Sequence, residues 1–282
     1  MHVIRYLRRQ TRVGYSWIHI LWIYISVGVR FIRWRMQPWF RQYNTAESSH
    51  TTMKKKQTLL LIRHGQTTWN VEHRLPGHLS GVELNDIGRQ QAARLADALA
   101  VIPISAVISS PLDRARKTAD ILVKGRELSV QLEPELMHTD VGRWAGQVIG
   151  ELSKSDPAWG AYVKDPTVAP EGIETFPQVQ QRVVAAVERR RKQDNIGAYP
   201  VFVAHADVIK LLLAYYLDLA PGRAGSMMID NASVSIVELE EEQKPRVIAI
   251  SWSPRPGWLK PPLPEQKVEG EVPKDEEQAQ KP

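Results

Sequence analysis

Short apolar runs alternate along this chain with longer stretches of helical period. The run "LLLI" at 59–62 enters Arg63 without a polar break, so 59–63 reads as a strand buried on both faces. Residues 87–100, "IGRQQAARLADALA", bring Ile87, Ala92, Leu95, Ala96 and Leu99 close to one face and predict an amphipathic helix. A strand over 105–109, a helix over 112–124 closed by Gly125, and a strand over 128–132 follow. A long helix over 176–193 ends in a turn rich in Arg and Lys, which suits its dipole. A strand over 200–204 and a helix over 208–217 come next, and the alternating segments 233–239 and 246–252 pair near a sheet edge. The order argues an α/β fold, a three-layer sandwich with a mainly parallel central sheet and helices on both faces.

Three regions differ in composition. Residues 1–56 hold eight Arg, three Lys and one Glu, a net +10, so the net +6 of the chain leaves −4 for the remaining 226 residues. The basic character belongs to this arm, and the body from 57 to 253 loses the main argument for a nucleic-acid partner. The arm centres on "VGYSWIHILWIYISVGV" at 13–29. As a helix it would span roughly 26 Å at about 1.5 Å per residue, just short of a hydrocarbon core of about 30 Å. Two readings stand: a membrane anchor, or a start placed too far upstream, with Met53 opening the body. The second puts the protein in the cytoplasm, the first on a membrane. Residues 254–282, rich in Pro, Glu and Lys, are expected to be disordered. The chain has no cysteine, which excludes disulfides, thiolate metal sites and cysteine nucleophiles.

Open α/β sheets bind ligands beyond the carboxyl ends of their strands, and three of those ends carry related chemistry. The first strand ends in Arg63-His64-Gly65, followed by Thr67 and Asn70. The second runs into "SSPLDRARKTAD", with Ser109, Ser110, Arg114 and Arg116, and the strand at 200–204 runs into His205. Arginine forks suit a tetrahedral dianion. An imidazole between them is held neutral by repulsion and stays nucleophilic, and Gly65 allows close approach of backbone to a ligand. Together these residues describe a phosphate pocket with a histidine nucleophile.

"LIRHGQTTWN" resembles the signature of the histidine phosphatase superfamily, in its phosphoglycerate-mutase-like branch. "RLPGHLSGVELNDIGRQQA", "ISSPLDRARKTA", "APEGIETFPQVQQRV" and "VFVAHADVIKLLL" are similar to further segments of that family, in its order, over roughly 58–251. The resemblance implies that His64 attacks phosphorus and becomes phosphohistidine, and that water hydrolyses the adduct. It implies that Arg63, Arg114 and His205 hold the phosphoryl oxygens, with Asn70 and Thr67 adding hydrogen bonds. It implies no cofactor and no metal, and a small phosphate ester as partner. A homodimer is open. A phosphoglycerate mutase and a weakly active phosphate-ligand binder are the competing functions.

One departure touches the chemistry. Four residues before the Gly of the family's "G-x-W-x-G" turn a Glu is usual, and here "ELMHTDVGRWAG" has His138. Three residues are candidates for its acid and base duties: His138 itself, Asp140 two residues on, and Asp207 after the second histidine. The preferred reading is His138 assisted by Asp140. Asn85, where the family often has Thr, remains a good N-cap. The insertion at 153–173 carries Trp159, Tyr162 and Lys164, which either contact a leaving group or pack as the core of a lid.

Overall fold

The computed structural model describes residues 56–255, within the compact unit Met53–Pro282. The expectations of a membrane anchor at 13–29, of a start at Met53 and of a disordered tail fall on residues that, up to 55 and beyond 255, lie outside the described ones. One sheet has the strand order β3-β2-β4-β1-β5-β6. Its strands are β1 (Lys56–Arg63), β2 (Ala106–Ser109), β3 (Val130–Leu132), β4 (Pro200–Ala204), β5 (Val234–Glu240) and β6 (Arg246–Trp252). The first four are parallel, and β5 and β6 complete the sheet in antiparallel pairings. Only β6 is an edge strand of that pair, because β5 is hydrogen-bonded to both β1 and β6.

The helices are α1 (Thr68–Val71), α2 (Asp86–Ala98), α3 (Asp113–Val123), α4 (Ile149–Ser155), α5 (Pro157–Lys164), α6 (Phe176–Arg191) and α7 (Ala206–Tyr216). The continuous apolar run of β1 explains why helices cover both faces. Successive strand residues point to opposite sides. Leu59 and Leu61 pack with Val183 of α6 and Leu212 of α7, while Leu60 and Ile62 pack with Leu95 of α2 and Ala119 of α3. Ile87, expected on the buried face of α2, is 53 % exposed. The buried stripe of α2 runs through Gly88, Ala92 and Leu95, and Ile87 stands about 100° away from Gly88 around the axis.

A third, smaller core lies outside the sandwich. Asp156 caps α5 by accepting from Ala158 N at 2.9 Å, with Pro157 at the first helical position. Asp156 also accepts from Trp144 Nε1 at 2.8 Å. Trp144 meets Trp159 and Tyr162 with ring centroids 5.1 and 5.4 Å away. The insertion thus starts in the last turn of α4 and forms α5, which packs on Trp144, and Trp159 and Tyr162 belong to that core.

Candidate active site

Strand register builds the centre of the site. Arg63 of β1 pairs with Ala204 of β4, so the next residues, His64 and His205, emerge side by side with ring centroids 5.3 Å apart. His64 N donates to Ala204 O at 3.1 Å across this gap. Ser109 of β2 is in register with Val203, and Ser110 N donates to Val203 O at 2.9 Å. Ser110 Oγ then reaches His205 Nε2 at 3.0 Å. Arg114 rises from the first turn of α3 and is 1 % exposed.

The hydrogen bonds assign the protons. His64 Nδ1 donates to Gly65 O at 2.7 Å, which leaves Nε2 with its lone pair. Burial, then the charges of Arg114 and Arg63, hold the His64 imidazole well below the usual histidine range, so it is neutral at pH 7. Burial, Arg114 and the neighbouring His64 do the same to His205. Burial lowers Arg114 to about 10, still a cation at neutral pH.

Unsatisfied atoms mark what this cluster can hold. Arg63 gives one bond to Ile229 O at 2.6 Å, and Arg114 one to Gly77 O at 3.0 Å. Arg63 Nε, Arg114 Nε and Nη1, His205 Nδ1 and Asp207 Oδ1 are buried without a hydrogen-bond partner. Among the described residues the one other such atom is Ser253 Oγ. Leaving a buried polar group unpaired costs about 1–3 kcal/mol. With Ser110 Oγ accepting from Leu112 N and giving its proton to His205 Nε2, the His205 proton is assigned to Nδ1, and four unpaired donors in one place form a cradle from which a tetrahedral oxyanion can accept.

His138 joins this cluster from the segment before the Gly142–Trp144 turn, its ring centroid 5.5 Å from that of His205. Its partner is Asp207, with Nδ1 to Oδ2 at 3.5 Å. His138 Nδ1 also lies 2.9 Å from Thr139 O, which leaves Nε2 free to exchange a proton. Asp207 accepts from Thr139 N at 2.8 Å and from the Thr139 hydroxyl. Burial works against ionisation of Asp207, but His138 and Thr139 outweigh it and hold the carboxyl below its usual range. Burial lowers His138, with Asp207 opposing and Arg114 adding to the fall.

Asp140, expected to assist His138, is placed elsewhere. Its Oδ1 accepts from Gly142 N at 2.9 Å and its Oδ2 faces His78 Nδ1 at 3.9 Å, with the side chain 47 % exposed. The tight turn at Gly142, φ +46°, bends the chain so that Asp140 closes the turn and does not follow His138 inward. Gly65 also has a role the sequence reading did not anticipate. Its N–H donates to Thr118 Oγ1 at 3.1 Å, and a Cβ there would lie 2.4 Å from Gly88 O, so the close approach is to α2. Thr67 is the N-cap of α1, and its hydroxyl and N–H both donate to Asn70 Oδ1, at 3.1 and 3.0 Å. Asn70 keeps its amide nitrogen for a further acceptor. Arg116 is exposed on α3.

Sequence reasoning missed the brace behind His138. Arg182 of α6 pairs both oxygens of Glu174, Nε to Oε1 at 2.7 Å and Nη2 to Oε2 at 2.8 Å. The same guanidinium donates to the carbonyls of Glu135, Met137 and His138 at 2.5, 3.0 and 3.0 Å. Glu174 in turn accepts from Asp140 N at 2.7 Å. The segment bearing His138 is therefore pinned by one ion pair, whose only trace in the sequence was the Glu174-Thr175 start of α6.

Comparison with known proteins agrees with this geometry. Residues 59–252 match the family model of the histidine phosphatase superfamily (branch 1). A bifunctional protein of Mycobacterium tuberculosis is 36 % identical over 187 residues, covering 64 % of this chain and 50 % of its own length. The chain thus spans about half the length of that relative. Phosphoglycerate mutase-like protein 4 of Arabidopsis thaliana is 36 % identical over 191 residues, covering 66 % of this chain and 81 % of its own. Among solved structures, a mycobacterial glucosyl-3-phosphoglycerate phosphatase in complex with VO3 superposes with a TM-score of 0.63 at 29 % identity. That match covers 70 % of this chain and 100 % of the other. By the extent of the family match and the strand ends that carry it, this chain belongs to branch 1 of the histidine phosphatase superfamily.

Proposed function

We propose that this protein hydrolyses small phosphate monoesters through a phosphohistidine on His64. The observation that carries the reading is the neutral His64 with Nε2 unprotonated, beside two arginines and a histidine that hold four unpaired buried donors. The ester phosphate seats on Arg63, Arg114 and His205 Nδ1, with Asn70 adding a donor. His64 Nε2 forms its bond to phosphorus as the ester P–O bond breaks in line. Protonated His138 gives its proton to the departing oxygen. Neutral His138, held by Asp207, then takes a proton from water as that water attacks phosphorus. The P–N bond breaks, inorganic phosphate leaves, and His64 and His138 return to their starting states. The arginines neutralise charge throughout, the largest contribution such a site can make.

The test is phosphate release from p-nitrophenyl phosphate by the full chain, with an alkaline quench to trap the phosphoenzyme. Turnover with an acid-labile, base-stable adduct, both absent in His64→Ala, is the expected result. A folded parent that releases no phosphate would overturn the proposal.

A further inference from the structure

Beside the phosphate cradle lies a cavity of about 310 Å³ that shares His138, Thr139 and Asp207 with the acid–base group of the site. This size is at the lower end of pockets that enclose a small organic ligand, roughly 300–1,000 Å³. Beyond the shared residues its wall is built by Val141, Trp159, Tyr162, Val163 and Phe176. We infer that this cavity receives the alcohol half of the substrate, and that the alcohol is uncharged and mainly hydrocarbon, alkyl or aryl. The inference rests on the phosphatase reading above, because that reading puts the leaving oxygen at His138, on the boundary between cradle and cavity.

Apart from Asp207 Oδ1, which is unpaired where cavity and cradle meet, the polar ends of the wall's aromatic residues are satisfied, and this carries the argument. Tyr162 Oη donates to Glu174 O at 3.0 Å, and Trp159 Nε1 lies 3.2 Å from Ser153 Oγ. Both aromatics therefore spend their polar ends on the lid and offer the cavity carbon faces. A sugar or polyol seated here would give up water and find few partners for its hydroxyls. A carboxylated alcohol would fare worse, because Asp207 is ionised, His138 commits its proton to the leaving oxygen, and the wall's one lysine, Lys164, is exposed. A hydrocarbon loses nothing by the move and removes the aromatic faces from water.

The experiment measures kcat/KM of the full chain on ethyl, butyl and hexyl phosphate, on 3-phosphoglycerate and on glucose 6-phosphate. Acetyl phosphate, whose leaving group is small and activated, reports the phosphoryl chemistry separately. Calorimetric titration gives the Kd of each alkyl phosphate to His64→Ala. The expected result is a gain of about fourfold per buried methylene in kcat/KM and in affinity, with hexyl phosphate ahead of both polar esters. Gly225 lines the cavity, and a Cβ there would meet no atom within 4 Å. Gly225→Leu should therefore fold and cut the hexyl-to-acetyl ratio at least tenfold. Acetyl phosphate turnover with a flat alkyl series would overturn the subsite and leave the phosphatase standing. Absence of all turnover would sink the phosphatase reading. The calorimetric series would then decide the cavity alone, rising affinity supporting it and flat affinity ending it.

Discussion

His138 and Asp207 form a dyad, Nδ1 to Oδ2 at 3.5 Å, between a segment that follows β3 and the first turn of α7. The carboxylate is oriented by two hydrogen bonds from Thr139, the residue next to the imidazole it serves. A proton exchanged at His138 Nε2 is therefore backed by a fixed negative charge, while the bond from Nδ1 to Thr139 O at 2.9 Å holds the imidazole in one tautomer.

This dyad predicts a dependence on the leaving group. His138→Gln and Asp207→Asn should lower kcat/KM for an alkyl phosphate by about 10²–10⁴-fold, the usual worth of general acid catalysis. p-Nitrophenyl phosphate, whose phenolate leaves without a proton, should lose far less. Burial lowers His138, so its acid form gains as pH drops below about 6.5. Alkyl phosphate turnover should rise relative to that of the nitrophenyl ester between pH 7.5 and 5.5, and the trend should vanish in His138→Gln. Equal losses on both esters would show that His138 does not act as the acid.

Three histidines, His64 and His205 buried and His138 half-buried, also tie stability to pH. His64, His138 and His205 all have folded-state values below their ordinary 6.5. Below that pH the unfolded chain binds protons the folded chain refuses, so stability falls as pH falls. The slope reaches up to about 1.4 kcal/mol per pH unit for each histidine. Above pH 7 the three are neutral in both states and contribute no slope. Thermal melts from pH 8 to 5 should show a plateau and then a decline, shallower in His205→Asn. A melting temperature constant down to pH 5 would contradict the enclosure of these imidazoles in uncharged form.

Arg182 should matter to both stability and rate. Its bidentate pair with Glu174 is mostly shielded, with side chains 16 % and 24 % exposed. Partial water access reduces the penalty for stranding a buried charge, so Arg182→Met should cost about 2–3 kcal/mol, or about 5–10 °C in Tm. The three carbonyls it holds bracket His138, so alkyl phosphate turnover should fall more than nitrophenyl phosphate turnover at a temperature where the variant is folded. Adding Glu174→Gln should restore part of the stability. A variant with unchanged Tm and unchanged discrimination between the two esters would remove Arg182 from any bracing role.

The pattern of apolar positions determined the elements, because a strand buried on both faces and a helix with one buried stripe write different periods into the chain. Residues 59–63, 105–109 and 200–204 were legible as strands for that reason, and 176–193 as a helix. Arg63, His64 and His205 were legible as a set because each ends its strand or directly follows it, and parallel strands deliver their carboxyl ends to one rim. The insertion at 153–173 was legible only as an insertion: its helix α5 buries a short, mixed face against Trp144 and not against the sheet. Everything that depends on which strand lies beside which was left to tertiary structure. Placing β4 between β2 and β1 sets Ser110, His205 and His64 in a row. The chain's path after β3 decides that His138 meets Asp207 and not Asp140, although Asp140 is only two residues away. Sequence proximity constrains only what the local backbone can bring together, and the positive-φ turn at Gly142 turned the nearer carboxylate out while α7 brought the distant one in.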